Sequence, residues 1–242
     1  MNLPQHQQFK NFDQRLNSPF IMNPSRFGGV AWDYENDLSS SSGWTLTGNN
    51  SYDSGNDEID FTTPNTSATG HGYNDPLGAT ISDTAFIALM EIDFNALQGS
   101  DGCGVSFLFF GLSDTSGAVA NSSQDGIGIE MQSDNAKSVA SDGANVFNNT
   151  AGSIASAITA KKYWLLVTRQ SSTLADFEMF PTSARTTADH SDLSRTIAST
   201  ITGLRYMYTA NKANHVGVCP AGTTTGSVER VALSDGVTSA PS

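Results

Sequence analysis

Residues 85–94 (AFIALMEIDF) and 105–112 (VSFLFFGL) decide the fold. Both stretches are short and apolar. In the first, Met90, Ile92 and Phe94 alternate with Glu91 and Asp93, the period of two at which strand side chains point to opposite faces. Between the two lies 98–104 (QGSDGCG), a Gly- and Asp-rich turn placed as a hairpin connection would be. The expectation is an antiparallel pair.

Reading outward, more strand-like stretches alternate with turn clusters. Upstream, 43–47 (GWTLT) and 58–61 (EIDF) flank the polar turn GNNSYDSGND. Downstream come 126–131 (GIGIEM), 139–140 with 146–147, 163–169 (YWLLVTR), 174–180 (LADFEMF), 204–208 (LRYMY), 215–218 (HVGV) and 227–233 (SVERVAL). Segment 153–159 (SIASAIT) is open between a strand and a short helical turn. Many short strands at this spacing indicate an all-β sandwich or barrel. Residues 1–30 differ, because Pro4, Pro19 and Pro24 interrupt single apolar residues with no steady period. The expected organisation is an extended arm over 1–30, a sandwich over 31–235 and a frayed tail over 236–242. Phe9, Phe12, Leu16, Phe20 and Phe27 would anchor the arm on a neighbouring subunit or on its own sandwich, since phenylalanines exposed to water are unfavourable.

Composition narrows the partners. At 242 residues the chain is long enough for one large sandwich. Only 15% of residues are charged, and 22 glycines suit a fold of many turns. With 12 Lys plus Arg against 24 Asp plus Glu, the net charge is -12, so the basic stripe that neutralises phosphates is missing. Nucleic acid and anionic membrane surfaces are excluded as expected partners. No run approaches the roughly 18 apolar residues of a membrane span. The opening MNLPQHQQFKNFDQRLN has no apolar h-region, so the expectation is a chain without a signal peptide that reaches a virion or extracellular surface by lysis or a specialised route. Cys103 and Cys219 are too few for a disulfide framework and lack metal-ligand spacing; each reads as a buried thiol or as half of one disulfide.

The order of the pieces resembles a known superfamily. An EIDF strand, then DGIGIEM, then KKYWLLVTRQSSTLADFEMF, then SVERVALSDG is similar to concanavalin A-like lectins and glucanases, especially the laminin-G-like members, over about residues 43–235. In those proteins a Trp-containing strand, here with Tyr163 and Trp164, runs through a polar turn (170–173) into the next strand, and a late VERVAL-type strand returns to the first ones. The resemblance implies a two-sheet antiparallel jelly-roll sandwich whose loops or concave sheet bind carbohydrate, often with calcium.

The glucanase branch offers a sharp test. Its catalytic strand reads E-[I/L]-D-x-E or E-[I/L]-D-x-x-E, which sets nucleophile, helper and acid/base along one strand. Here Glu91-Ile92-Asp93 supplies the first two, and Asn95 or Ala96 stands where the acid should be. Neither donates a proton to a leaving sugar oxygen, so no catalytic residue is assigned. Other catalytic motifs are missing: there is no G-x-S-x-G, and His6, His71, His190 and His215 show no paired-ligand spacing. His71, in GHGYND, reads as a turn histidine.

Candidate binding residues follow from chemistry. Aromatics able to stack on a sugar ring are Trp32, Tyr34, Tyr52, Tyr73, Tyr206 and Tyr208, ungrouped in sequence. Carboxylates and amides in turns, namely Asp53, Asp57, Glu58, Asp101, Asp125, Asp134, Asn135 and Asp142, offer calcium oxygens if the fold brings two turns together. The chosen ligand-binding set is Trp32, Tyr52, Tyr73, Asp101 and Asp125.

Two function classes result. In the first, the protein is a non-enzymatic structural component of a larger particle, such as a virion head-decoration, fibre or tail protein, assembled with other subunits through its arm and by analogy a trimer. In the alternative it is a free lectin-like module that binds a glycan, with calcium as its only expected cofactor. A third reading, glycan hydrolysis, requires a carboxylate from elsewhere to replace the missing acid.

Overall fold

A computed structural model describes residues 31–41, 43–48, 50–63, 69–96, 106–116, 125–132, 135–142, 152–155, 162–213 and 224–239. The elements are β1 (Tyr34–Asn36), β2 (Trp44–Thr47), β3 (Asn50–Asp53), β4 (Glu58–Thr63), β5 (Thr69–Asn74), β6 (Phe86–Ala96), β7 (Ser106–Ser113) and β8 (Asp125–Gln132). They continue as β9 (Asn135–Asp142), β10 (Gly152–Ala155), β11 (Lys162–Ser171), β12 (Leu174–Phe180), β13 (His190–Thr196), β14 (Tyr206–Ala213) and β15 (Thr224–Asp235). No helix occurs among the described residues.

The strands form two antiparallel sheets. The first runs β13-β12-β11-β6-β15-β4-β3, with β1 added to β15, and the second runs β10-β9-β8-β7-β14-β5-β2. The two apolar stretches that fix the fold class are therefore not a hairpin. β6 pairs with β11 and β15, whereas β7 pairs with β14 and β8, so the connection between them crosses from one sheet to the other. The reason lies in burial: Ile87 and Leu89 are buried on one face of β6 while Ala88, Met90, Ile92 and Phe94 are buried on the other. A strand covered on both faces belongs in the middle of a sheet, with hydrogen-bonding neighbours on both sides.

The interior packs Ala88, Met90, Ile92, Phe94, Leu165, Val167 and Val231 of the first sheet against Phe110, Leu112, Ile127, Ile129 and Met207 of the second. Phe61 ties the layers, with its ring 6.1 Å from Phe94 and 5.7 Å from Phe110 across the interface. A hydrogen bond from Ser138 of β9 to Asp192 of β13 joins the sheets at one margin. The segment between β13 and β14 is pinned to both layers: Thr202 N donates to Asp125 at 2.7 Å, Gly203 N to Asp83 at 3.0 Å, and Leu204 O accepts from Ile81 N.

Several expectations are corrected. His71 lies within β5, not in a turn; its neighbours Gly70 and Gly72 masked the strand pattern. Of the ambiguous segment 153–159, residues 153–155 belong to strand β10 (Gly152–Ala155), and 156–159 lie outside the described residues. The turn assigned to GNNSYDSGND holds β3, whose partner is β4, while β2 belongs to the other sheet. Strand β13 (HSDLSRT) was not foreseen, because an edge strand with little apolar surface carries no alternation signal. The anchoring residues Phe9, Phe12, Leu16, Phe20 and Phe27, together with Asp101, Asp134, Cys103, Cys219 and segment 215–218, lie outside the described residues.

Candidate functional site

On the outer face of the first sheet, Glu91 and Asp93 point away from the core that Met90, Ile92 and Phe94 enter. Across from them on β11 stand Trp164, partner of Glu91, and Lys162, partner of Asp93. On the other side, β15 carries an irregularity between Val228 and Arg230: Ile92 faces Val228 and Glu91 faces Arg230, leaving Glu229 as the extra residue. A bulge of this kind bends the strand and re-aims a side chain. Here it brings Glu229 beside Glu91.

One ammonium joins the group. Lys162 Nζ donates to Glu91 Oε1 at 2.8 Å and to Glu229 Oε2, and it stands 5.5 Å from the centroid of the Trp164 ring. The three side chains are 35%, 14% and 26% exposed for Lys162, Glu91 and Glu229, so the site is reachable yet sheltered. Burial raises the Glu229 carboxyl above its ordinary value, an effect that the Lys162 ammonium opposes and that Glu91 and Asp93 reinforce. Burial, the largest single cause, pulls the Lys162 ammonium down, but its hydrogen bonds to Glu229 and Glu91 and their charges together outweigh it, so Lys162 is raised.

Next to this group lies a small apolar floor of Ile87, Leu89, Trp164, Leu166, Phe180 and Ala232, closed by Trp32. Arg185 projects its guanidinium 5.7 Å from the Trp32 centroid, and Arg230 pairs with Glu35 at 2.5 Å. Arg185 holds φ at 50°, a left-handed conformation uncommon for a long side chain.

The expected ligand residues do not converge on one place. Trp32 is buried at 5% exposure in this floor. Tyr52 leans on the main core from β3 and donates its hydroxyl to Asp57 at 3.2 Å. Tyr73 lies on the outer face of the second sheet, with Tyr208 and Phe109. Asp125 sits at the start of β8 among Asp83, Asp114 and Asp142; burial, the largest cause, raises its carboxyl, and the Thr202 N–H opposes that. What the sequence reading missed is Lys162, Glu229, Arg185 and Arg230. Glu229 was visible only as part of a strand, since a bulge leaves no pattern in one sequence.

For calcium, the fitting group among the described residues is Asp53, Glu58 and Asp60, whose ligand oxygens lie within 4.8 Å of one another. Asp53 and Glu58 are cross-strand partners, and Asp60 follows two residues on, so one sheet face presents all three. Asp53 also accepts from Gly55 N at 2.7 Å and Asn56 Nδ2 at 2.8 Å. Calcium takes about six to eight oxygens, so these residues would supply part of a shell.

Four carboxyls, Asp60, Asp125, Glu178 and Glu229, are raised with burial as the first cause. A raised carboxyl takes up its proton in the folded state before it does in the unfolded chain, so folding stability falls as pH rises through the folded value. Thermal stability is expected to increase as pH drops from 7 toward about 4, where unfolded carboxyls titrate. Melting temperatures across that range check this; a monotonic fall on acidification would contradict it.

No protein-family model and no curated protein sequence matches the chain. Solved structures do match. The carbohydrate recognition domain of Emp46p in its metal-free form superposes with a TM-score of 0.59 at 14% identity, covering 86% of this chain and 100% of that one. This is the concanavalin A-like lectin and glucanase fold. The exoplasmic/lumenal domain of VIP36, bound to Ca2+ and Man3GlcNAc, shares it at a TM-score of 0.55 and 10% identity, with 86% of this chain and 90% of that one covered. The β-glucanase of Bacillus licheniformis shares it at 0.54 and 9% identity, covering 86% and 100%. In the concanavalin A-like sandwich of the present chain, the Glu91 strand lies centrally in the first sheet.

Proposed function

We propose that the protein is a carbohydrate-binding, lectin-like module that holds its ligand on the outer face of the first sheet, around Glu91, Lys162 and Glu229, without cleaving it. The carrying observation is the single ammonium shared by two carboxylates beside an indole. An ammonium has three N–H donors, and the two glutamates use two of them. The third, with the remaining carboxylate oxygens, makes a compact set of donor and acceptors suited to neighbouring sugar hydroxyls. The buried Trp164 indole, 5.5 Å from the ammonium, backs this set and holds Lys162 in place.

The same geometry weighs against hydrolysis. Cleavage requires the scissile glycosidic bond to sit between the two carboxyls, and here the Lys162 ammonium is hydrogen-bonded to both Glu91 and Glu229. Lys162 thus fills the space between the two carboxylates. Hydrolysis remains the second reading because the bulge does bring a carboxylate to Glu91, the arrangement the incomplete motif lacked. Calcium would be held at Asp53, Glu58 and Asp60. The particle-surface reading draws its weight from residues 1–30, outside those described, and the structural likeness to lectins supports the binding reading instead.

A glycan array probed with wild type and Lys162→Met, each with calcium and with a chelator, tests the proposal. Wild type is expected to retain a defined set of glycans. Losing two charge-assisted hydrogen bonds' worth of organisation should weaken Lys162→Met by about tenfold or more. Equal binding by both proteins would place the ligand elsewhere.

A further inference from the structure

Unmet hydrogen-bond donors gather on one part of the outer face of the first sheet. Trp32, Trp164 and Ser234 are 5%, 9% and 3% exposed, and neither the two indole Nε1–H groups nor the Ser234 hydroxyl has a partner. A buried polar group left without a partner is costly, so three on one face call for an explanation. The strands bring them together. Trp32 and Trp164 pack in the apolar floor with Ile87, Leu89 and Ala232, and Ser234, cross-strand partner of Ile87, follows Ala232 by two residues on the same face of β15.

Two guanidiniums border the same floor. Arg230 precedes Ala232 by two residues, and Arg185, half-buried, holds its Cζ 5.7 Å from the Trp32 centroid. They are near enough to repel each other: burial first, and the Arg230 charge second, pull the Arg185 guanidinium below its ordinary value. Two carboxylates stand close by. Glu91, flanked by Trp164 and Arg230 in the strand register, is held by Lys162 at 2.8 Å. Glu35, on the short strand β1, accepts from Arg230 Nη2 at 2.5 Å, yet it is 41% exposed while Arg230 is 14% exposed. The carboxylate that occupies the Arg230 fork therefore sits on the solvent side of it.

We infer that Trp32, Trp164, Arg185, Arg230 and Ser234 form a carboxylate-binding subsite, in which Glu35 holds the Arg230 fork until the carboxylate of an acidic sugar or of a small free acid displaces it. Carboxylate is the class that fits, because the unmet groups are donors. A water molecule must donate as well as accept, and none of the unmet atoms on this floor is an acceptor apart from the Ser234 oxygen. A carboxylate brings two acceptor oxygens and no hydrogen, matches a guanidinium fork side by side, and offsets the repulsion between the two arginines. Swinging the Glu35 side chain into water opens the fork without moving a strand. The net charge of -12 opposes anions at long range, but such fields are screened beyond about 8 Å at physiological salt, inside which the two guanidiniums act.

The acidic-sugar source rests on the reading that the protein binds glycans, whereas the free-acid source does not. The test titrates the 15N-labelled full chain with sodium acetate, sodium glucuronate and, as the neutral control, glucose, following the indole Nε1–H signals. The chain has three tryptophans, and Trp44, in the main core, is the internal reference. Acetate and glucuronate should move the Trp32 and Trp164 signals saturably and leave that of Trp44 in place, and glucose should move none of them. Glucuronate binding at least tenfold tighter than acetate identifies an acidic sugar as the ligand; equal affinity identifies a free acid. Glu35→Gln removes the internal competitor and should tighten binding by about tenfold, and Arg230→Met should weaken it by about tenfold or more, each the size of one charge-assisted hydrogen bond, with melting curves as the folding control. Signals that move with neither salt show donors held by ordered water and overturn the subsite. Equal movement of all three indoles, or Glu35→Gln binding no tighter than wild type, overturns it as well. An empty glycan array with the acetate shifts intact overturns the glycan reading alone, and a filled array without those shifts overturns this subsite alone.

Discussion

Phe61→Ala is expected to cost about 3–5 kcal/mol of folding stability, the usual range for truncating a buried phenylalanine. Phe61 is 3% exposed and touches Phe94 of its own sheet and Phe110 of the facing one. Removing the ring opens a cavity between layers that close-packed neighbours fill only in part. In a domain of this size each kcal/mol moves the melting temperature by roughly 2–4 °C, so the transition should fall by about 10 °C. Urea unfolding measures it directly. A shift in midpoint with an unchanged slope is the expected form.

Gly226→Ala should be comparably damaging for the opposite reason. Gly226 on β15 lies between its partners Phe61 on β4 and Phe94 on β6. A methyl group there would come within 2.2 Å of Asp93 O and 2.8 Å of the Phe61 ring. Backbone cannot retreat from such contact without breaking the ladder, and overpacking typically costs about 1–3 kcal/mol, occasionally more. The displaced backbone is that of Asp93, two residues from Glu91, so glycan affinity on the first sheet should drop along with stability. Gly78→Ala is the comparison: nothing lies within 4 Å of its position, and only its φ of 67° is strained. It is expected to cost about 1 kcal/mol and to leave glycan affinity on the first sheet unchanged. Equal effects from the two substitutions would contradict the packing argument.

How much of this was legible in the sequence depends on burial. β6, β11 and β12 carry long apolar or alternating runs because both or one of their faces are covered, and they stood out at once. β13 and β3 border sheets, are polar, and did not. Which strands would pair was unreadable for β6 and β7: the turn between them has hairpin composition, yet the buried outer face of β6 demands two strand neighbours in its own sheet. Glu91 and Asp93 were legible because a strand has a period of two. Their partners were not, since Lys162 depends on the β6-β11 register and Glu229 on a bulge. The tyrosines of the second sheet were legible as candidate stacking residues, but only the pairing of β5 with β14 brings them together.

The central claim is that the Glu91–Lys162–Glu229 face binds sugar and leaves it intact. The most direct test incubates wild type with the glycans it retains and follows the same samples for bound ligand by saturation-transfer NMR and for new reducing ends by a colorimetric assay. The account predicts persistent transfer signals from an unchanged ligand, with Glu91→Gln reducing the signal and no reducing ends in either protein. Release of reducing ends by wild type, abolished in Glu91→Gln and in Glu229→Gln, would contradict it and establish the two glutamates as a hydrolytic pair.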